Sequence, residues 1–201
     1  MALNENAVLT SVRGAVFVGP QNALIDKALL AQFSLTAATV GTGDTKFERL
    51  GYMSADSLPE FNLDGGDATS QSVWDVQNFR TTYSDTTGTV TLHSVQGDKD
   101  FMKTYYGAVA AVGAGVDFSI KKQSVAKSLF IFIVDTNINK NLGMLFPNTD
   151  MTFNALPQFN QDSFNLYDLL GTFKPCDKLK KTTAGEMSTC RYFTPEDFTT
   201  V

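Results

Sequence analysis

Ser128-Leu129-Phe130-Ile131-Phe132-Ile133-Val134-Asp135 is the stretch that decides the fold class. Its six consecutive apolar residues fall far short of the roughly 20 that a membrane helix needs. A short continuous run of β-branched and aromatic side chains is the pattern of a central strand covered on both faces. Before it, Val116-Asp117-Phe118-Ser119-Ile120 alternates; after it, Gly143-Met144-Leu145-Phe146 and Met151-Thr152-Phe153-Asn154-Ala155-Leu156 read as two further strands. Asn165 to Leu170 reads as one more before Gly171. Upstream, Thr87-Gly88-Thr89-Val90-Thr91-Leu92-His93-Ser94 places Val90 and Leu92 on one face and Thr89, Thr91 and His93 on the other. Ala15 to Val18, between Gly14 and Gly19-Pro20, is a short strand with a turn at each end.

Composition agrees. The 201 residues include 16 Phe and 23 Thr but only 5 Glu, a balance that favours strands over helix surfaces. Two segments carry helical spacing instead. Between Asp98 and Tyr106, Phe101 pairs with Tyr105 and Met102 with Tyr106, acids occupy the first turn and Gly107 supplies a stop. Between Asn22 and Phe33, Leu24 and Ala28, then Ile25, Leu29 and Phe33, recur at intervals of four, which predicts a second short helix. From Glu48 to Val95 short apolar segments are broken at Ser54-Ala55-Asp56-Ser57 and at Asp64-Gly65-Gly66-Asp67, the texture of a β-meander. The expectation is one mainly β domain over residues 1–201, a sandwich or barrel-like fold with a flanking helix at about 98–106. A long loop or hairpin is expected at about 54–72 and a C-terminal extension or arm at about 172–201.

With 43% apolar residues the chain can build a core, and its net charge of -5 lacks the cationic footprint of a nucleic-acid reader. Met1 to Val8 has neither the basic start nor the apolar stretch of an export signal, so export by that route is not expected. In that setting Cys176 and Cys190 are expected to be reduced and structural.

Chemical motifs are scarce. His93, the single histidine, stands in a Thr-rich alternating strand with no nucleophile motif around any Ser, so it reads as a strand residue. Cys176, Cys190 and His93 lack the close-spaced ligand pairs of structural zinc. Gly41-Thr42-Gly43-Asp44 and Gly113-Ala114-Gly115 lack the Lys-Ser/Thr ending of a phosphate loop. Asp64 to Asp67 lacks the ligand alternation of a calcium loop and reads as a turn. No cofactor, metal or catalytic residue is therefore assigned. Trp74 reads as a core or interface anchor rather than a substrate platform.

Charge is uneven. Residues 54–100 hold eight acids against Arg80 and Lys99, while residues 174–191 hold five bases against Asp177 and Glu186. Such segments either attract each other across copies of the chain or are simply solvated loops.

Four segments, in order, resemble the major tail tube protein of long-tailed, siphovirus-type bacteriophages. They are Gly14-Ala15-Val16-Phe17-Val18-Gly19-Pro20; Phe47-Glu48-Arg49-Leu50-Gly51-Tyr52-Met53-Ser54-Ala55-Asp56-Ser57-Leu58; Ser72-Val73-Trp74-Asp75-Val76-Gln77 with Phe79-Arg80-Thr81-Thr82; and Thr89-Val90-Thr91-Leu92 leading to Phe101-Met102-Lys103-Thr104-Tyr105-Tyr106-Gly107. Ser57 stands where the family often has Gly, and nothing after Pro147 aligns. The resemblance covers about residues 10 to 135.

The resemblance implies a β-sandwich or barrel-like subunit, six copies of which close a ring whose sheets form one inner wall. Rings stack into a virion tail tube, assembled in the host cytoplasm, that surrounds the tape-measure protein, meets tail tip and tail terminator proteins, and conducts DNA without binding it. No membrane takes part. A negative wall suits that passage, because it repels phosphate. On this reading Leu58, Phe61, Leu63, Asp64 and Trp74 are inter-subunit contact residues, with Leu58, Phe61 and Leu63 as apolar anchors between rings; the alternative is a hairpin packed on its own subunit. Three other functions stay open: the tube protein of a bacterial secretion machine, a monomeric β-sandwich module binding carbohydrate or protein, and a hydrolase using two Asp residues.

Overall fold

The computed structural model describes residues 8–11 and 13–198; most of the Met1–Val8 stretch and the last three residues of the expected C-terminal arm lie outside them. In chain order the elements are β1 (Arg13–Pro20), α1 (Lys27–Leu30), β2 (Thr39–Val40), β3 (Phe47–Arg49), β4 (Glu60–Gly65), β5 (Ala68–Val73), β6 (Val76–Tyr83), β7 (Thr86–Ser94), α2 (Lys99–Tyr105), β8 (Val109–Ala110), β9 (Val116–Asp117), β10 (Val125–Asp135), β11 (Lys140–Phe153), β12 (Tyr167–Phe173) and β13 (Arg191–Phe193). Nine strands form one sheet in the order β2-β3-β1-β10-β11-β12-β7-β4, with β13 on the side of β11. Each pairing is antiparallel.

The sheet curls until its two flanks meet. The chain leaving β3 bridges them: Leu50 N–H donates to Val16 O on one side, while Ser54 N–H donates to His93 O and Val95 N–H to Tyr52 O on the other. The mainly β architecture with a flanking helix expected from the sequence is the one the chain adopts.

Burial on both faces of β10 follows from its apolar run. Leu129 and Ile131 point to an inner core with Val16, Val90, Leu92, Phe146, Met151 and Leu169, closed over by Phe101, Met102 and Tyr105 of α2. Phe130, Phe132 and Val134 point to an outer core with Ala15, Phe17, Phe47, Leu145 and Phe193. Fully burying each such side chain stabilises the fold by about 1.5–3 kcal/mol.

Between the halves of β10 the register to β11 shifts at Ser128. As a result Phe146 and Met151, five residues apart, both reach the inner core, because a one-residue slip exchanges the faces of a strand. Ser128 itself is buried, with its hydroxyl within reach of Pro20 O (2.7 Å) and Pro147 O (2.8 Å) while accepting from Ala23 N–H (2.9 Å).

α2 forms as its spacing predicts. Asp98 caps it by accepting from the N–H groups of Asp100 and Phe101, and Gly107 beyond its end takes φ +63. Four local expectations need correcting. The helix expected over Asn22 to Phe33 is one turn, α1, capped by Asp26. Asn22 and Ala23 spend their N–H groups on Pro147 O and the Ser128 hydroxyl, so the apolar residues are buried without helical continuity. The two strands expected across 143–156 are one, β11, which Pro147 crosses at the register shift. Only Val116–Asp117 of the alternating 116–120 segment is a strand, pairing with β8. The meander of residues 48–95 is chiefly one long hairpin.

The C-terminal segment returns to the barrel. β13 pairs with β11, and Phe198 packs 5.7 Å from Phe132. Cys176 is buried and Cys190 half-buried, both free thiols. Among the described residues no helix is long and apolar enough to cross a membrane.

Candidate functional site

The long hairpin is built on β4 and β7. Their register, Glu60 to Thr91 through Gly65 to Thr86, continues beyond the barrel as Ala68 to Tyr83 through Gln71 to Arg80. The arm therefore runs unbroken from Glu60 to a tip at Trp74-Asp75, a contour of about 45 Å at 3.3 Å per residue. Asp64 to Asp67 is a kink in this arm and not the chain reversal its sequence suggests. Gly65 and Gly66 take φ +88 and +75, and a Cβ on Gly65 would stand 2.1 Å from Asp85 O. That crowding and handedness require glycine. Across the kink, Gly66 N–H donates to Asp85 O and Ser84 N–H to Asp67 O, which carries the ladder through. Near the tip the register shifts once, where Asn78 adopts φ +56 and donates its N–H to the Ser72 hydroxyl.

At its root the arm is held by aromatic packing. Phe61 lies 5.9 Å from Phe146 and 6.2 Å from Phe173, rings that stack on each other at 3.8 Å. Beyond the root nothing among the described residues covers it: each residue of β5 and β6 is exposed. Trp74 is 105% exposed, Tyr83 73% and Phe79 66%. Six acids, Asp56, Glu60, Asp64, Asp67, Asp75 and Asp85, face Arg80 alone along this segment, and none forms an ion pair among the described residues.

The five residues expected to make inter-subunit contacts thus separate by environment. Phe61 is half-exposed and anchors the arm on its own subunit. Leu58 is exposed in the segment leading to β4, while Leu63 and Asp64 are exposed on β4. Trp74 stands clear of the core at the tip. Sequence reasoning did not single out Phe79. The available signal was its alternation with Thr81 and Tyr83 opposite a β5 whose Ala68, Ser70 and Ser72 are too small to cover them.

The remaining polar groupings are structural. His93 Nδ1 lies 2.8 Å from Asp168 Oδ1 across the β7–β12 pair, and Gln158 Nε2 donates to Asp168 Oδ2 at 3.2 Å. His93 Nε2 is buried with no hydrogen-bond partner among the described residues, so none of their nucleophiles stands on it. No group of three or more His, Cys, Asp or Glu side chains among the described residues could hold a metal ion.

Comparison with known proteins gives the family of this mainly β barrel and its exposed two-stranded arm. Residues 1–164 match the sequence profile of a family described as phage tail tube protein. The chain belongs to that family. It is 34% identical over 138 residues to the major tail protein Gp23 of Mycobacterium phage L5, covering 67% of this chain and 69% of the relative. The major tail protein Gp23 of Mycobacterium phage D29 is 33% identical over the same length and coverage. As a tail tube protein the chain is a structural component of the virion tail, in a family that is not an enzyme class.

Proposed function

We propose that six copies close a ring, that rings stack into the tail tube, and that the tube encloses the tape-measure protein and conducts DNA during ejection. Tail tip and tail terminator proteins bound its two ends. The observation that carries this reading is the arm from Ala68 to Tyr83. An isolated two-stranded hairpin is marginally stable in water at best, and this one has no second layer among the described residues. A neighbouring copy supplies what is missing. The free outer edge of β4 supports the same reading: Glu60 to Gly65 leaves backbone groups that another strand can satisfy, and an unpaired edge is otherwise a template for aggregation. The net charge of -5 suits a conduit that repels phosphate.

The test is negative-stain microscopy of the purified protein, with light scattering over a range of concentrations. Rings with a central hole that lengthen into tubes are the expected result. A variant lacking residues 67–84 keeps the β4–β7 pairing and is expected to fold as a monomer that makes no tubes. Tubes from that variant would remove the arm from the assembly, and a wild-type chain that stays monomeric at all concentrations would instead favour a binding module.

A further inference from the structure

Beside α2 the barrel wall opens into a cleft of about 400 Å³ whose apolar walls are Val18, Leu50, Phe101 and the Tyr105 ring. Lys46, Glu48, Arg49, Asp98, Asp100 and Lys127 also line it, three charges of each sign. The chain engages most of them itself. Glu48 pairs with Lys46, Asp100 lies 3.6 Å from Lys103, and Asp98 caps α2 while accepting from Gln96 Nε2. The Arg49 guanidinium donates to Leu35 O and sits 5.1 Å from the centre of the Tyr52 ring. Two groups are left. Lys127 is half-buried and forms no ion pair among the described residues. Tyr105 is 5% exposed, and its hydroxyl has no hydrogen-bond partner among the described residues. Burial, and then the Glu48 charge, raises the pKa of that hydroxyl well above its ordinary value, so it stays protonated and able to donate.

Phe101 also meets Tyr167 edge-on at 6.0 Å, next to the loop that joins β11 to β12. That loop closes on itself. Gln158 and Leu166 exchange backbone hydrogen bonds, Asn160 N–H donates to Asn165 Oδ1 at 3.1 Å, and Asp162 N–H donates to Asn160 Oδ1 at 2.9 Å. It holds out Phe159 and Phe164, 81% and 78% exposed. Asp162 is the single charged residue between Asn154 and Leu166 and forms no ion pair among the described residues. A loop ordered by its own hydrogen bonds loses little freedom when it binds.

We propose that the 158–166 loop of one copy seats in the α2 cleft of a second copy of this chain, Phe159 and Phe164 against Leu50 and Phe101, and Asp162 facing Lys127 and the Tyr105 hydroxyl. Size and charge both favour this occupant. A cavity of about 150 Å³ holds one benzene, so 400 Å³ has room for about two rings. Glu48 and Asp98 are already engaged within the chain, and Asp100 stands exposed at the rim, where water screens it. The free groups of the cleft are a cation and a donor, and the loop brings one unpaired anion. The proposal rests on the self-assembly reading above and adds a contact in which the arm takes no part. Loop and cleft are different surfaces, so the contact is heterologous: a copy whose cleft is filled still offers its loop to the next, and the series ends only if it closes in a ring.

The experiment mixes the Thr104→Cys protein, altered at the cleft, with the Ser163→Cys protein, altered at the loop, lets them assemble, and treats the particles with a short bis-maleimide. Both positions are exposed, so both variants are expected to fold with wild-type melting temperatures. The expected product is a covalent dimer whose bridging peptides, identified by mass spectrometry, contain residues 104 and 163. A parallel mixture of Thr104→Cys with Trp74→Cys reports the arm tip, which also carries an aromatic ring beside an acid. Assembled particles that link 74 to 104, or that lack the 104–163 bridge, overturn this inference and leave self-assembly standing. Protein that never assembles overturns both. The Phe159→Ala, Phe164→Ala double variant loses two exposed rings, so its melting temperature is expected to match wild type while its concentration for half-assembly rises about tenfold or more. An unchanged half-assembly concentration in that variant also overturns the inference.

Discussion

Replacing Trp74 by Ala separates folding from assembly. In one copy the side chain is 105% exposed and touches no core residue, so its removal is expected to leave the unfolding free energy within about 0.5 kcal/mol of wild type. In the proposed assembly the same side chain is covered. A tryptophan buries about 150–250 Å² when fully enclosed, and about 25 cal/mol per Å² makes that worth roughly 4–6 kcal/mol. Covering half of it leaves about 2–3 kcal/mol per contact, which raises the concentration for half-assembly by about 30- to 150-fold. The assay is light scattering against protein concentration for wild type and variant, with circular-dichroism melts of each at a concentration below assembly. Scattering curves that agree within about threefold while the melts also agree would refute the reasoning, because the tip would then contribute no contact energy.

Other consequences concern the subunit alone. Leu145 is fully buried in the outer core, and Leu145→Ala is expected to cost about 2–5 kcal/mol in urea unfolding, whereas Leu63→Ala on the exposed arm changes the same measurement by no more than about 0.5 kcal/mol. Asp98→Ala removes the cap of α2 at a cost of about 1 kcal/mol. The Asp98 carboxyl is held below its ordinary value, first by the Phe101 N–H and then by the Gln96 side chain. Its depressed folded value means that its contribution is fully present above the unfolded value near 3.9 and is lost as pH falls through the lower folded one, so Asp98→Asn is expected to flatten stability against pH below about pH 4. Burial pushes the Cys190 thiol up to about 11, so alkylation of the native protein at pH 8 is expected to be far slower than after denaturation, followed by mass spectrometry.

Local pattern was enough to set the architecture. The six apolar residues Leu129 to Val134 needed apolar partners on both faces, and the two cores supply them. The four-residue spacing from Phe101 to Tyr105, with Asp98 before it and Gly107 after, specified α2, because caps and periodicity act within one or two turns of chain. The alternation around Val90 and Leu92 likewise specified the buried face of β7.

Where competing partners lay far away in sequence, pattern misled. Asn22 to Phe33 has helical spacing, but the Ser128 hydroxyl and Pro147 carbonyl, more than a hundred residues on, claim its first backbone groups. Asp64-Gly65-Gly66-Asp67 has turn chemistry, yet the ladder continues across it because Asp85 and Ser84 hydrogen-bond opposite. Composition alone cannot distinguish a turn from a kink, since both ask glycine for a positive φ. Trp74 shows the remaining difference. The sequence alone determined that an isolated aromatic sits between strands, whereas only the tertiary structure decided that it stands at the end of an arm with no core of its own. Exposure is a relation among distant segments, and among the described residues none lies over the arm.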